Sequence, residues 1–277
     1  MKSIIRNLRN QLKTFSKIRL LFLVLCIAIF FSCFIYTISY HVDAYNNEQE
    51  MEQLSCVGCN ATYEQVSTLR NISESISEKG VPEKQNVLPQ YQDLYKKNSD
   101  FFGWVKIDGT NINYPVMFTP CDPQYYLHRN FQKRFENRGL PFLDGKTDIK
   151  KSSNYIVYGH SMKDGTEFAD LLHYQSKRYF QEHSVIHFNT VYQTGEFKII
   201  GVLLTKVFNQ NEHVFKYYQF SYPATDTQYE DYVNNVKRLS IYDTGVTAKP
   251  GEQLLTLSTC SYHTQDGRLA VVAKRIN

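Results

Sequence analysis

Apolar side chains recur singly or in short runs along most of the chain, but between residues 20 and 40 they are nearly unbroken, as LLFLVLCIAIFFSCFIYTISY, without a single charge. As a helix this run rises roughly 30 Å, the hydrocarbon thickness of a bilayer. The pattern then turns polar. Residues 41–88 are rich in Asn, Gln, Glu and Ser, with Gly80, Pro82 and Pro89 toward the end, and read as a tether. Inside it, Val66, Leu69, Ile72 and Ile76 are spaced to line one helical face, which predicts a short helix. From about Tyr91 the pattern changes again, to β-branched and aromatic residues punctuated by turn signals. Strands are expected at 102–107, 112–118, 154–159, 184–189, 196–207, 252–260 and 268–276. Asp108-Gly109 is a two-residue hairpin signal between the first two. Two stretches have helical spacing instead: 167–183, through Phe168, Leu171, Leu172 and Phe180, and 227–240, through Tyr229, Tyr232, Val233, Val236 and Leu239. Several short strands with few helices predict a closed or nearly closed barrel.

Composition permits this. A chain of 277 residues with 42% hydrophobic and 14% aromatic content can bury a full core without disulfide staples. The formal charge of +4 is misleading, because the first nineteen residues hold Lys2, Arg6, Arg9, Lys13, Lys17 and Arg19 and no acid. Without them the chain is close to neutral, so no basic face and no nucleic-acid partner are implied. Basic residues before the apolar run and Asp43, Glu48, Glu50 and Glu52 after it predict a cytoplasmic N-terminus with everything beyond residue 40 outside. A cleaved signal peptide is the rival reading, with VDA at 42–44 as a small-residue cleavage pattern. The run exceeds the 7–15 residues of a signal-peptide core, which favours an uncleaved anchor. The expected organisation is a basic N-terminus at 1–19, a transmembrane anchor at 20–40, a tether at 41–88 and a folded domain at 89–277.

Candidate chemistry centres on LLTLSTCSYHTQDGRLAVVAK, residues 254–274, where a strand ends on Cys260 and the next begins at Arg268. A thiol is a nucleophile only as thiolate and needs a base or a cationic neighbour near neutral pH. His160, in NYIVYGHSM, follows a strand and a glycine, which puts an imidazole on a rigid strand end. Arg268, opposite Cys260 in a hairpin-like pair, is the cation. Each alone has a plainer reading: a packed thiol, a structural histidine, a surface arginine. The combination points to cysteine catalysis. His263 is a second candidate base, but it sits in the polar loop that follows Cys260. Cys56 and Cys59 form a C-x-x-C in the tether, not beside a βαβ pattern, and read as a local or incidental pair. Cys26 and Cys33 lie in the apolar run, and Cys121 reads as a loop residue. His183 and His187 share one strand face too far apart to ligate together, so no metal is expected.

At these residues the sequence resembles the sortases, class B in particular. TLSTC ending at Cys260 matches the family's cysteine strand, YGHSM its histidine segment and GRLAVVAKRI its arginine strand. SDFFGWVKIDGTNINYPV, YYLHRNFQKRFENRGLPFLD and a helix before the last strands are also class B features, and the similarity covers roughly residues 88–277. The resemblance implies a mostly-β, sortase-like closed barrel with a few peripheral helices. It further implies a membrane-anchored cysteine transpeptidase with Cys260 as nucleophile, His160 as acid/base and Arg268 as oxyanion or substrate-backbone donor. Ser258 would contribute a hydroxyl to the substrate pocket. The implied partners are secreted proteins with a Pro-x-Thr-type C-terminal sorting signal and an amine of a peptidoglycan precursor or pilin, and no cofactor is implied. Two other readings stay open: an extracytoplasmic cysteine hydrolase, in which water resolves the thioester, and a non-enzymatic membrane-tethered binding protein.

Overall fold

β-Branched and aromatic residues in alternation build eight strands from residue 101 onward. The computed structural model describes residues 21–42, 45–46, 49–51, 53–54, 86–223 and 225–277. Its strands are β1 (Phe101–Lys106), β2 (Asn113–Met117), β3 (Phe142–Leu143), β4 (Asn154–Tyr158), β5 (Val185–Thr190), β6 (Glu196–Lys206), β7 (Leu254–Cys260) and β8 (Gly267–Arg275). They close in the order β1-β2-β3-β4-β7-β8-β6-β5, with β5 pairing back onto β1. Closure is the expected fold class, and it leaves the sheet without a free edge. Two pairs are parallel, β2 with β3 and β4 with β7. The second brings the C-terminal ends of β4 and β7 side by side.

The chain divides into two compact units, Met1–Gln53 and Leu54–Asn277. In the first, the apolar run forms helix α1 (Leu21–Val42), 22 residues long, with Phe22, Phe30 and Phe34 among its exposed side chains. In the second, short helices α2 (Gln92–Lys97) and α3 (Lys177–Glu182) accompany the longer α4 (Asp226–Leu239). The Thr225 hydroxyl caps α4 by accepting the Gln228 N–H, and its apolar face, Tyr229, Tyr232, Val233 and Val236, packs on Ile200, Leu203, Leu254, Ala270 and Val272. Elsewhere in the core, Phe102, Tyr155 and Phe188 form a ring cluster with centroids 5.7–6.3 Å apart.

Three expectations are corrected. The stretch 167–183 is not one helix. Ser176 is extended and its hydroxyl accepts the Tyr179 N–H, so a new helix, α3, starts there after a 3-10 turn at Ala169–Gln175. The first hairpin is longer than two residues: Ile107 and Ile112 close it through a 2.9 Å backbone bond, and Gly109 supplies the positive φ of 76°. His183 lies before β5 rather than in it and sets Nδ1 2.8 Å from the Asp108 carbonyl oxygen. The helix expected in the tether, the sequence before residue 21, Cys56 and Cys59 lie outside the described residues.

Candidate active site

Strand alternation places Leu254, Thr256, Ser258 and Cys260 on one face of β7. The strand is buried up to Thr259 and half-buried at Cys260, so its last side chain emerges at the end of a rigid element. Antiparallel pairing sets Arg268 of β8 directly opposite Cys260, and the turn between them closes through the 2.9 Å bond from Ser261 N–H to the Gly267 carbonyl. On the other side of β7, the parallel register places Tyr158 beside Ser258. Two further bonds fix the backbone just before His160: Gly159 N–H to the Ser258 carbonyl, 3.1 Å, and the Thr259 hydroxyl to the Gly159 carbonyl, 2.8 Å. The ends of β4, β7 and β8 thus present imidazole, thiol and guanidinium at one rim.

All four residues singled out from the sequence, Cys260, His160, Arg268 and Ser258, line one cavity of about 420 Å³. The ring nitrogen Nε2 of His160 lies 2.9 Å from the Leu127 carbonyl oxygen. A carbonyl only accepts, so Nε2 carries the hydrogen and, in the neutral ring, Nδ1 keeps the lone pair. Burial lowers the His160 pKa below the ordinary histidine value; the Leu127 hydrogen bond opposes this, and His128, whose ring stacks 5.5 Å away, adds to it. The site therefore favours the neutral imidazole. Arg268 donates Nη1–H to the Gly267 carbonyl, 2.9 Å. Ser258 is almost fully buried and shares a 2.6 Å hydrogen bond with the Tyr217 hydroxyl, so it presents itself to the cavity already paired. Burial pushes the Tyr217 phenol up to about 12, against the pull of the Ser258 hydrogen bond and the Arg268 charge, and Tyr217 stays neutral. Tyr158 donates to Asp144 Oδ2 at 3.0 Å on the same wall.

His263 goes elsewhere. Its Nδ1 is 3.0 Å from the Ser261 hydroxyl, and the ring lines a larger cavity of about 800 Å³ with Lys206, Phe208 and Arg238. Tyr217 forms a wall of both spaces, but Cys260, His160 and Arg268 line only the smaller one. Size therefore does not pick out the site here; the convergence of nucleophile, imidazole and cation does. Cys26, Cys33 and Cys121 are exposed, and His187 contacts Asp108 Oδ2 at 3.1 Å. Among the described residues no three His, Cys, Asp or Glu side chains gather as a metal would require. Three wall residues, Leu127, Tyr158 and Tyr217, escaped the sequence reading. Leu127 contributes only a backbone carbonyl, and a carbonyl leaves no residue-type signal.

The sequence family described as the sortase domain matches residues 105–276. The chain belongs to the sortase family. Its class is B. The sortase B of Listeria monocytogenes is 33% identical over 193 residues, 69% of this chain and 75% of that protein. A Staphylococcus aureus sortase B–substrate complex superposes with a TM-score of 0.67 at 25% identity, over 85% of this chain and 99% of that one. A sortase B complexed with triglycine gives 0.66 at 25%, over 84% and 99%. Sortases are cysteine transpeptidases, and in this sortase a thiol, an imidazole and a guanidinium line one cavity.

Proposed function

We propose that this sortase cleaves a Pro-x-Thr-type sorting signal near the C-terminus of secreted proteins and transfers the acyl group to an amine of a cell-wall precursor or pilin. The observation that carries the reading is the single cavity that Cys260, His160 and Arg268 line from three adjacent strand ends. In this reaction Nδ1 of neutral His160 takes the Cys260 thiol proton as Sγ attacks the threonine carbonyl carbon, while Arg268, permanently charged, faces the negative charge that develops on the carbonyl oxygen. The C–N bond then breaks and the leaving amine takes a proton from protonated His160, which leaves a thioester on Sγ. An incoming amine attacks the thioester and gives its proton to His160, and collapse expels the Cys260 thiolate, which takes that proton back. With Nε2–H held by Leu127, Nδ1 is the nitrogen that releases and regains that proton.

The S. aureus protein in complex with a substrate and the sortase B in complex with triglycine support a peptide donor and an amine acceptor for this class. Helix α1 is long and apolar enough to cross a bilayer, which supports a single-pass anchor with the catalytic domain outside, where secreted substrates emerge. The test is incubation of the protein with a panel of Pro-x-Thr peptides, with and without triglycine, followed by mass spectrometry. A ligated product that requires triglycine and disappears in Cys260→Ala is expected, as is a loss of about 10² or more in Arg268→Lys, which keeps the charge but not the two-pronged donor. Cleavage to the free acid at the same rate with and without triglycine would make the protein a hydrolase.

A further inference from the structure

His160 leads into a small closed loop. Phe168 N–H bonds the His160 carbonyl at 2.8 Å, Ser161 bridges Glu167, and Gly165 turns the tip with φ 84°. The anchor of the imidazole lies outside that loop. The Leu127 carbonyl belongs to a different segment, 125–140, which carries its own constraints. There, Leu140 N–H bonds the Tyr126 carbonyl at 3.0 Å, and Gly139, at φ 60°, packs so tightly on the Tyr126 and Leu127 carbonyl oxygens that a Cβ would collide with both. Besides the His160–Leu127 bond and the His128 ring stacked on His160, a third side chain joins the two segments. Arg138, next to Gly139 and only 4% exposed, reaches into the histidine loop, with Nη2 2.7 Å from Asp164 Oδ2 and Nη1 donating to the Thr166 hydroxyl at 2.7 Å. Asp164 Oδ1 in turn accepts the Thr166 hydroxyl at 2.7 Å and the Thr166 N–H at 3.2 Å, so the guanidinium grips a pre-formed turn.

We propose that Arg138 is a positioning residue for His160: it holds the 160–168 loop against the Leu127 segment, keeps Nε2–H on the Leu127 carbonyl, and so reserves Nδ1 for proton exchange. The proposal rests on His160 being the acid/base of the reaction proposed above. Arginine suits the task because its planar fork serves two acceptors at once and it cannot be neutralised by burial. The Asp164 carboxyl is matched to it. Burial works to raise its pKa, but the Thr166 hydrogen bonds and the Arg138 charge hold it below the ordinary value, so it stays ionised opposite the guanidinium. A clamp of this kind acts on geometry rather than on substrate affinity, so its loss shows in kcat and not in KM.

The test uses the full chain in detergent micelles and two readouts: turnover of a ligated Pro-x-Thr peptide with triglycine, and the imidazole ¹⁵N resonances of His160, assigned by their loss in His160→Gln. Arg138→Gln is expected to lower kcat by about 10²-fold with KM within about threefold, and to convert His160 from the Nε2–H form to a mixture of tautomers. Arg138→Lys, which keeps the Asp164 pair but cannot also reach Thr166, should fall between. If Arg138→Gln does not fold, the double variant Asp164→Asn with Thr166→Val releases the same clamp from its far end and should give the same two changes in weaker form. Wild-type kcat in a folded clamp variant, or lost kcat with the Nε2–H tautomer intact, overturns the proposal. Retained turnover in His160→Gln would instead defeat the assignment of His160, and the ¹⁵N readout would still report on the clamp.

Discussion

At the scale of single residues, exposure and activation make opposite forecasts for the cysteines. Cys121 is exposed and Cys260 is only half-buried, so alkylation governed by access alone modifies Cys121 first. Thiolate character reverses that order if the imidazole and guanidinium beside Cys260 activate it. Brief iodoacetamide treatment with peptide-level mass spectrometry is expected to find Cys260 modified ahead of Cys121; the reverse order would show a resting thiol. His160 supplies a pH forecast. Its folded pKa lies below the unfolded value of about 6.5, so the unfolded chain binds more protons between the two and stability rises with pH there. The contribution is fully present above about pH 6.5 and is lost as pH falls through the folded value. The melting temperature of the wild type should therefore drop more between pH 7 and pH 5 than that of His160→Gln. Because the His128 charge adds to the depression, His128→Gln should reduce the difference. Parallel pH–Tm curves for wild type and His160→Gln would show that His160 is not buried neutral.

At the scale of elements, the site depends on how β4 and β7 are set against each other, and a buried amide controls this. Asn154, fully buried at the start of β4, donates to the Phe220 carbonyl at 3.0 Å and to the Tyr232 hydroxyl of α4 at 3.3 Å, and accepts from the Thr256 hydroxyl of β7 at 3.0 Å. Asn154→Leu fills the same space but removes these bonds; the Tyr232 and Thr256 hydroxyls keep each other, and the Phe220 carbonyl is stranded, which costs about 1–3 kcal/mol. Urea unfolding should show at least that loss, and kcat should fall as well, because the same pair of strands sets the level of His160 against Cys260. Unchanged kcat in a folded Asn154→Leu would mean that the strand ends hold their register without it. Much of this layer was legible beforehand. Seven of the eight strands announced themselves by alternation within a residue or two of their ends, and the face of α4 was readable from its tyrosines and valines. β3 did not, because two residues, Phe142 and Leu143, are too few to show a period. The run from 167 to 183 looked helical because periodicity does not register a cap, and Ser176 ends one turn and begins the next. Cys260, His160 and Arg268 were visible because each lies at or within two residues of a strand end and carries a functional group suited to thiol chemistry. Leu127 and Tyr217 were not: they lie 33 and 41 residues from the partners they meet, and only the closed barrel brings them there.

At the scale of the whole molecule, barrel closure bears on where the folded unit begins. Every strand has two neighbours within 101–275, so the sheet needs nothing further upstream to complete it. Residues just before β1 still contribute. Leu88 N–H bonds the Val191 carbonyl at 2.7 Å, the Tyr91 hydroxyl accepts from Asn189 at 3.0 Å, and the Tyr91 ring packs edge-on against Phe101 at 5.4 Å. Asn98, buried, donates to the Tyr126 hydroxyl at 2.7 Å and to the Phe131 carbonyl at 2.8 Å, which ties the entry to β1 to the segment that carries Leu127. A fragment beginning at residue 86 keeps all of these contacts and is expected to fold, to melt cooperatively and to turn over soluble peptide at the rate of the full chain. Residues before 86 then do not shape the site. A fragment beginning at residue 99 loses the Tyr91 packing and strands the Phe131 carbonyl, while the Tyr126 hydroxyl keeps its bond to Asp100. A penalty of about 1–3 kcal/mol for that carbonyl, added to the lost packing, lowers its melting temperature by several degrees, and its turnover falls because the Leu127 segment loosens. Calorimetry and peptide turnover on the two fragments decide the matter. Equal behaviour of both would move the start of the functional unit to β1, and a fragment from 86 that is unfolded would show that the fold needs residues upstream of 86.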